Sequence, residues 1–382
     1  IFVIAAVLAS VAGWLMAYYQ RAVNPSAFGL KWGIEYLFMV VVGGAGSLWG
    51  AWLGAGVVRV LDEQLQAWLP QLLGMSGSFE SIVFGVMLVL ILKYRPDGLW
   101  SWVQQGLGKT ERTRDWDDAD VLAQRIKPAM GDAVLDVQKI RKSFGGLVAV
   151  NDISFQVRAG QIVGLIGPNG AGKSTTFNLI TGTLPLSGGE VYFGGQPVHG
   201  LHARDIAKRG LMRTFQHVKM IPEMSVLDNV AIGAHSRSKG EVFSAILRRN
   251  RGEEKSIMAE AERQLKRVGL GDWMHEQAAN LPMGQQRLME IARALCADPT
   301  LLLLDEPAAG LRYLEKQELM RVLRQLQSEG MSILLVEHDM DLVMDVCETI
   351  VVMEFGTYLT QGTPEEVQAD PKVRAAYLGT EH

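Results

Sequence analysis

The densest chemistry in this chain lies in Gly167, Pro168, Asn169, Gly170, Ala171, Gly172, Lys173, Ser174 and Thr175, a glycine-rich turn that ends in a lysine and two hydroxyls. Glycines lack a Cβ, so the backbone can turn its N–H groups inward around a polyphosphate, and Lys173 adds a full positive charge. A helix starting near Gly172 would offer its unpaired N–H groups and the positive end of its dipole to the same anion. Ser174 supplies the hydroxyl that loops with this G-x-x-x-x-G-K-S spacing place on Mg2+. The expected ligand is a nucleoside triphosphate with Mg2+; the motif by itself does not say what the triphosphate drives.

Two other segments end in groups suited to the same chemistry. The apolar run 301–304 is followed by Asp305-Glu306, the pattern of a buried parallel strand whose C-terminal end faces the ligand, as in open α/β sheets. An acidic pair there could simply cap a helix. With a phosphate loop upstream, Asp305 suits Mg2+, and Glu306 suits orienting or deprotonating the attacking water. The run 333–336 delivers Glu337-His338-Asp339 in the same way. An isolated histidine is usually structural, but at a strand end His338 is placed to sense a γ-phosphate. Phe144, beside Gly145-Gly146, reads either as a core aromatic or as a face for adenine. Gln216 taken alone reads only as a surface residue.

The elements that must hold these groups follow from periodicity. Residues 134–140 and 147–157 alternate apolar and polar side chains at strand spacing, and residues 161–166 form the strand that enters the phosphate loop. Residues 190–193 read as a strand and 203–209 as a short helix. Residues 225–281 are helix-rich, with breaks at Gly240, Gly252 and Gly269-Leu270-Gly271. The segment LPMGQQR at 281–287 then opens a helix whose Leu288, Ile291, Ala292 and Leu295 share one face.

A chain of 382 residues suits two domains, and its composition divides unevenly. Residues 1–92 are rich in Ala, Val, Leu, Ile, Gly and Trp, whereas the remainder has the charge density of a soluble protein. A net charge of -4 gives no basic field, so nucleic acid is not an expected partner. Arg248, Arg249 and Arg251 read as a solvated helix face. Cys296 and Cys347 lack metal-ligand spacing and read as buried thiols in a reducing compartment. The apolar stretch 1–19 has about the length of a membrane span and no signal-peptide features. The chain begins with Ile1, not Met, which points to a truncated N-terminus. Apolar runs at 35–42, 48–61 and 79–92 complete a count of four passes, and tryptophans near their ends favour a membrane interface. On that count the corner Gly43-Gly44-Ala45-Gly46-Ser47 lies on the side of Lys93 and Arg95, where it would either dock on the nucleotide-binding half or pack helices closely. The polar stretch 101–132 reads as a flexible linker with a reach of about 30 Å.

In this order, GPNGAGKST at 167–175, Gln216, LPMGQQR at 281–287, LLLLDEP at 301–307 and His338 resemble the ATP-binding-cassette ATPases over about residues 133–382. The resemblance implies an α/β P-loop core with an antiparallel β subdomain and a helical subdomain, preceded here by an α-helical membrane segment. It implies ATP as the nucleotide, Phe144 against adenine, and Ser174, Gln216 and Asp305 on Mg2+. Glu306 would be the catalytic base, His338 the switch, Gln216 the link to the membrane partner, and Gly284, Gln285 and Gln286 the signature residues. Ala309-Gly310-Leu311 falls where the family has its dimer-contact loop.

Within that family, RTFQ, LPMGQQR, DEPAAGL and the C-terminal GTPEEVQADPKVRAAYLG look like the ATPases of branched-chain amino acid importers. Independently, MVVVGGAGSLWG at 39–50 and YRPDGLW at 94–100 resemble the C-terminal end of the permease from the same systems. The implied organisation is a permease part at 1–100, a linker at 101–132 and an ATP-binding domain at 133–382. The implied partners are a second ATPase subunit, a second permease subunit and an external solute-binding protein, with the ATPase on the cytosolic side of the cytoplasmic membrane. A urea or short-chain amide importer is the alternative, and a non-transport cassette ATPase a more distant one. The chain departs from the wider family at Pro282 and Met283, where Ser and Gly are usual, and at Arg312, commonly Asn in the subgroup.

Overall fold

The computed structural model describes residues 2–21, 29–73, 80–94, 97–106, 116, 119–214, 219–237 and 251–378. The chain divides into two compact units, Ile1–Thr113 and Arg114–His382.

The first unit is helical: α1 (Phe2–Gln20), α2 (Leu30–Gly43), α3 (Leu48–Leu73), α4 (Glu80–Tyr94) and α5 (Leu99–Gly106). With 19 residues at about 1.5 Å each, α1 approaches the ~30 Å of a bilayer core. Its apolar side chains are exposed along almost its whole length, as a lipid-facing helix requires. By length and composition α1 is the one described helix able to cross a membrane alone, while α2 and α3 pass that test together as a pair bent by 117°. The four apolar runs therefore become one spanning helix, one bent pair and the shorter α4.

The bend is made by glycines. Ser47 caps α3, its hydroxyl accepting from the Gly50 N–H at 3.3 Å. A Cβ on Gly54 would lie 2.0 Å from the Met39 carbonyl oxygen, and one on Gly43 would lie 1.8 Å from that of Gly50. Gly98, of the PDGLW segment, packs on Gly44 so closely that its Cβ would stand 2.4 Å from the Gly44 Cα. Gly43 and Gly44 of this corner are thus taken up by backbone-to-backbone packing inside the unit, a use that membranes favour, while Ala45 and Gly46 at its tip are exposed.

The second unit is built on a six-stranded sheet in the order β10-β9-β3-β8-β7-β6. Its strands are β3 (Ile162–Ile166), β6 (Leu211–Arg213), β7 (Leu301–Asp305), β8 (Ser332–Val336), β9 (Thr349–Glu354) and β10 (Thr357–Gly362). All neighbours are parallel except β10, which pairs antiparallel with β9. A second, antiparallel sheet runs β2-β1-β4-β5, from β1 (Ala133–Phe144), β2 (Leu147–Arg158), β4 (Gly188–Phe193) and β5 (Gln196–Pro197).

Residues of β3, β7 and β8 are buried on both faces, which is why these strands read as unbroken apolar runs. Their alternation still sorts them. Ile162, Ile166, Leu302, Leu304, Ile333 and Leu335 join one core with the helices Arg251–Arg267, Met283–Cys296 and Tyr313–Ser328. Val163, Leu165, Leu301, Leu303, Leu334 and Val336 join the other, with the antiparallel sheet and the helix α6 (Lys173–Ile180).

Candidate nucleotide site

Register places the chemistry. Leu165 of β3 pairs with Val336 of β8, and Val336 pairs with Asp305 of β7. The phosphate loop, Glu337-His338-Asp339 and Asp305-Glu306 therefore leave the sheet side by side at its C-terminal edge, where ligands of such sheets bind.

In the loop, Gly172 caps α6 with φ of +93°, and a Cβ there would come within 2.6 Å of the Ala149 carbonyl oxygen. Gly167 is equally constrained, since its Cβ would meet the Met353 carbonyl oxygen at 2.2 Å. Pro168, Ala171 and Thr175 are partly or wholly buried, whereas Asn169, Gly170 and Ser174 face outward. The Lys173 ammonium donates to the Gly167 and Pro168 carbonyls at 2.7 and 3.1 Å. Burial pulls its pKa below the usual lysine range, while the nearby carboxylates of Glu306 and Asp305 oppose that shift. An anionic phosphate would act in the same sense as these carboxylates, favouring the charged lysine.

Asp305 is buried, and its Oδ2 accepts from Arg213 Nη2 at 2.7 Å. Arg213 also donates to Asn178 at 2.6 Å and lies over the Phe177 ring at 5.6 Å. Glu306, next along, has φ of +49°, a conformation that costs a non-glycine residue about 1–3 kcal/mol and is held here by its N–H bond to the Val336 carbonyl at 2.8 Å. Strain of this kind concentrates at functional positions.

His338 is exposed at its side chain, with Nδ1 3.7 Å from the Glu337 carboxylate. Glu337, which sequence reasoning passed over, is fully buried. Its carboxylate accepts from the backbone N–H groups of Ala308, His338 and Asp339 at 2.7, 2.9 and 3.2 Å. It thereby ties the segment after Asp305-Glu306 to the one carrying His338. The only local hint was an acidic residue directly after an apolar strand.

Phe144 ends β1 and is half-exposed, with the Lys142 ammonium 5.2 Å from its ring centroid. Of its two sequence readings, the core aromatic is excluded. Gln216 lies outside the described residues.

The helix Met283–Cys296, where the signature residues were expected, starts at Pro282, which offers no side-chain cap. Gln286 instead turns its amide back onto the Leu281 carbonyl at 2.8 Å, and the buried Oε1 of Gln285 has no partner among the described residues. Gly284 donates its N–H to Glu315 Oε1 at 3.2 Å, while Glu315 Oε2 accepts from the Arg312 N–H at 2.8 Å. Arginine has no acceptor, so Arg312 cannot return the second bond of a capping box. One carboxylate thus joins the first turn of this helix to the segment after Ala309-Gly310-Leu311.

Comparison with known proteins agrees with this geometry. Residues 150–309 match the family described as ABC transporter, residues 359–382 the branched-chain amino acid ATP-binding cassette transporter family, and residues 1–92 the branched-chain amino acid transport system permease component. The chain is 42% identical over 253 residues to the high-affinity branched-chain amino acid transport ATP-binding protein LivG of Salmonella typhimurium, covering 65% of this chain and 99% of that one. Over 253 residues it is 39% identical to BraF of Pseudomonas aeruginosa, with the same shares covered. Among solved structures, the ADP conformation of an ATP-binding cassette from an ABC transporter superposes with a TM-score of 0.59 at 31% identity, over 65% of this chain and 99% of that one. A nucleotide-free cassette gives 0.58 at 30%, over 65% and 100%. The permease match makes the protein membrane-associated, and the importer context implies further ATPase or permease subunits. Together the phosphate loop, the strand-end carboxylates and these relatives show that the chain belongs to the ABC transporter family, with a permease segment and an ATP-hydrolysing cassette in one polypeptide.

Proposed function

We propose that the chain hydrolyses ATP with Mg2+ to drive import of leucine, isoleucine and valine across the cytoplasmic membrane, with its cassette on the cytosolic side. The observation that carries this reading is that both ends of the chain, 1–92 and 359–382, match families of branched-chain systems independently.

The residues at the sheet edge suit a metal-assisted hydrolysis. The Ser174 hydroxyl and the Asp305 carboxylate are hard oxygen donors, a set that fits Mg2+ when phosphate oxygens and water complete it. Gln216 would be the third protein ligand. The ion, when bound, neutralises charge developing on the phosphate oxygens. Lys173 exchanges its two loop carbonyls for phosphate oxygens, and Phe144 offers its exposed ring to adenine. Glu306, aimed by its left-handed backbone, orients and deprotonates the attacking water. His338 is held at its strand end through Glu337 and reads the γ-phosphate.

The signature segment acts on nucleotide held by a second ATPase subunit, a pairing supported by a dimeric cassette structure that matches with a TM-score of 0.52 at 25% identity. With Pro282 and Met283 in place of the usual residues, Gly284 and Gln285 supply the contact, and Glu315 must release the Gly284 N–H to free it. An external solute-binding protein and a second permease subunit complete the importer. Uptake in cells lacking this locus tests the solute. Lost leucine, isoleucine and valine uptake supports the reading; unchanged uptake of these, with lost urea or short-chain amide uptake, assigns the system to those solutes instead.

A further inference from the structure

The polar stretch 101–132 reads as a flexible linker, but from Trp116 onward its described residues are bound down on the cassette. Trp116 is buried in the same cluster as Met258, Ala261 and Leu265, and its indole N–H donates to Glu262 Oε2 at 2.6 Å. Ala119 and Leu122 pack against that cluster. The carbonyls of Leu122 and Ala123 accept from Arg237 Nη2 at 3.2 and 2.8 Å, while Arg237 Nη1 holds the Cys296 carbonyl at 2.9 Å. Arg125 donates its backbone N–H to Asp298 Oδ2 at 2.5 Å, its Nε to the Asp298 carbonyl at 3.0 Å and its Nη1 to the Lys208 carbonyl at 2.6 Å. Met130 then covers Gly160 at the entrance to β3, and the Gly131 N–H donates to the Ala159 carbonyl at 3.2 Å.

The Arg237 and Arg125 contacts meet at one place. Cys296 ends the signature helix, Ala297 caps it and Asp298 comes next, so Arg237 and Arg125 hold the C-terminal end of the helix whose N-terminal turn carries Gly284 and Gln285. A helix of 14 residues is a rod of about 21 Å, and a displacement at one end appears at the other. The strap contacts none of residues 167–175 in the bonds given above. It is also the covalent path from the membrane half into the cassette.

We propose that this strap, Trp116 with residues 119–130, sets the signature helix for ATP hydrolysis, with Trp116, Arg125 and Arg237 as positioning residues that act through Glu262, Asp298 and Cys296. The proposal rests on the ATPase activity of the cassette and is independent of the solute. Interior alignment errors far from the reacting atoms lower turnover more than ground-state binding.

The test uses the full chain assembled with its partner subunits in lipid nanodiscs, comparing Trp116→Ala, Trp116→Phe, Arg125→Ala and the milder Arg125→Lys. Hydrolysis is measured as kcat and KM for ATP, nucleotide affinity by a fluorescent ATP analogue, and folding by thermal melting. Trp116→Ala and Arg125→Ala are expected to lower kcat about 10-fold while nucleotide affinity stays within about twofold, a split that a merely structural strap does not give. Trp116→Phe, which keeps the ring and loses the hydrogen bond, and Arg125→Lys are expected to fall between these and the parent. Unchanged kcat in folded Trp116→Ala and Arg125→Ala chains overturns the proposal. So does a parallel fall of kcat, affinity and melting temperature, including in Arg125→Lys. Abolition of turnover by Glu306→Gln in the parent chain establishes separately that the activity measured belongs to the cassette.

Discussion

Replacing Arg213 by alanine isolates the ion pair beneath the hydrolytic site. Arg213 and Asp305 are 2.7 Å apart, with side chains only 16% and 6% exposed, so solvent screening discounts their interaction little. Removing one member of a buried pair strands the other charge and costs about 3–5 kcal/mol. Here the loss of the Arg213 bond to Asn178 at 2.6 Å acts in the same direction, while the Lys173 ammonium near Asp305 offsets part of it. The lower end, about 3 kcal/mol, is therefore expected. For a unit of this size each kcal/mol moves the midpoint by about 2–4 °C, so the cassette transition should fall by about 6–12 °C. Differential scanning calorimetry of the assembled complex without nucleotide reads it directly. A compensating Arg213→Met, Asp305→Asn chain should recover most of that stability without recovering hydrolysis, since removing both charges leaves none unpaired. An Arg213→Ala transition within about 2 °C of the parent would refute the assignment of a buried, energetically coupled pair.

Three further outcomes follow from other parts of the cassette. Lys173→Ala should weaken nucleotide binding by about 10- to 150-fold, from the ~1.5–3 kcal/mol of a charge-assisted bond, as read by fluorescent-nucleotide titration; affinity within twofold of the parent contradicts it. Arg312→Asn should supply the acceptor missing at the start of the helix Tyr313–Ser328 and stabilise the unit by about 0.5–1 kcal/mol, visible as a higher melting temperature. Burial pushes the Cys347 thiol up to about 12 and the Cys296 thiol higher still. At pH 8 a thiol with a pKa near 12 is only about 10⁻⁴ thiolate, so both should resist iodoacetamide until denaturant is added. The folded pKa lies above the unfolded one, so folding favours the protonated thiol, and that contribution to stability is lost only as pH rises through the cysteine range toward about 12.

The parts of this molecule that were legible in its sequence are those whose signals are local. The phosphate loop is a contiguous string of glycines, lysine and hydroxyls, and the strands 301–305 and 332–336 advertise burial by an unbroken apolar run. Parallel pairing then follows, because such strands need both faces covered. What stayed hidden depends on partners far along the chain. Trp116 in an acidic stretch looks like linker until Glu262, 146 residues away, supplies its acceptor. Arg125 is an ordinary surface arginine until Asp298 and the Lys208 carbonyl meet it. Glu337 drew no separate reading, because only the fold brings the Ala308 N–H to its carboxylate. In the membrane unit the glycines of the 43–47 corner were visible, but the contact of Gly44 with Gly98 requires the PDGLW segment to return to it.

Under the proposed function, ATP hydrolysis at Glu306 drives branched-chain solute inward. The most direct measurement places the complex in proteoliposomes with its solute-binding protein and radiolabelled leucine, and follows uptake and phosphate release together in the parent and Glu306→Gln chains. Loss of a general base lowers turnover by about 10²–10⁴, so the variant should bind ATP yet lose hydrolysis and uptake together, while in the parent both should rise with leucine. Hydrolysis retained by Glu306→Gln, or parent hydrolysis that proceeds with no leucine entering, would contradict it.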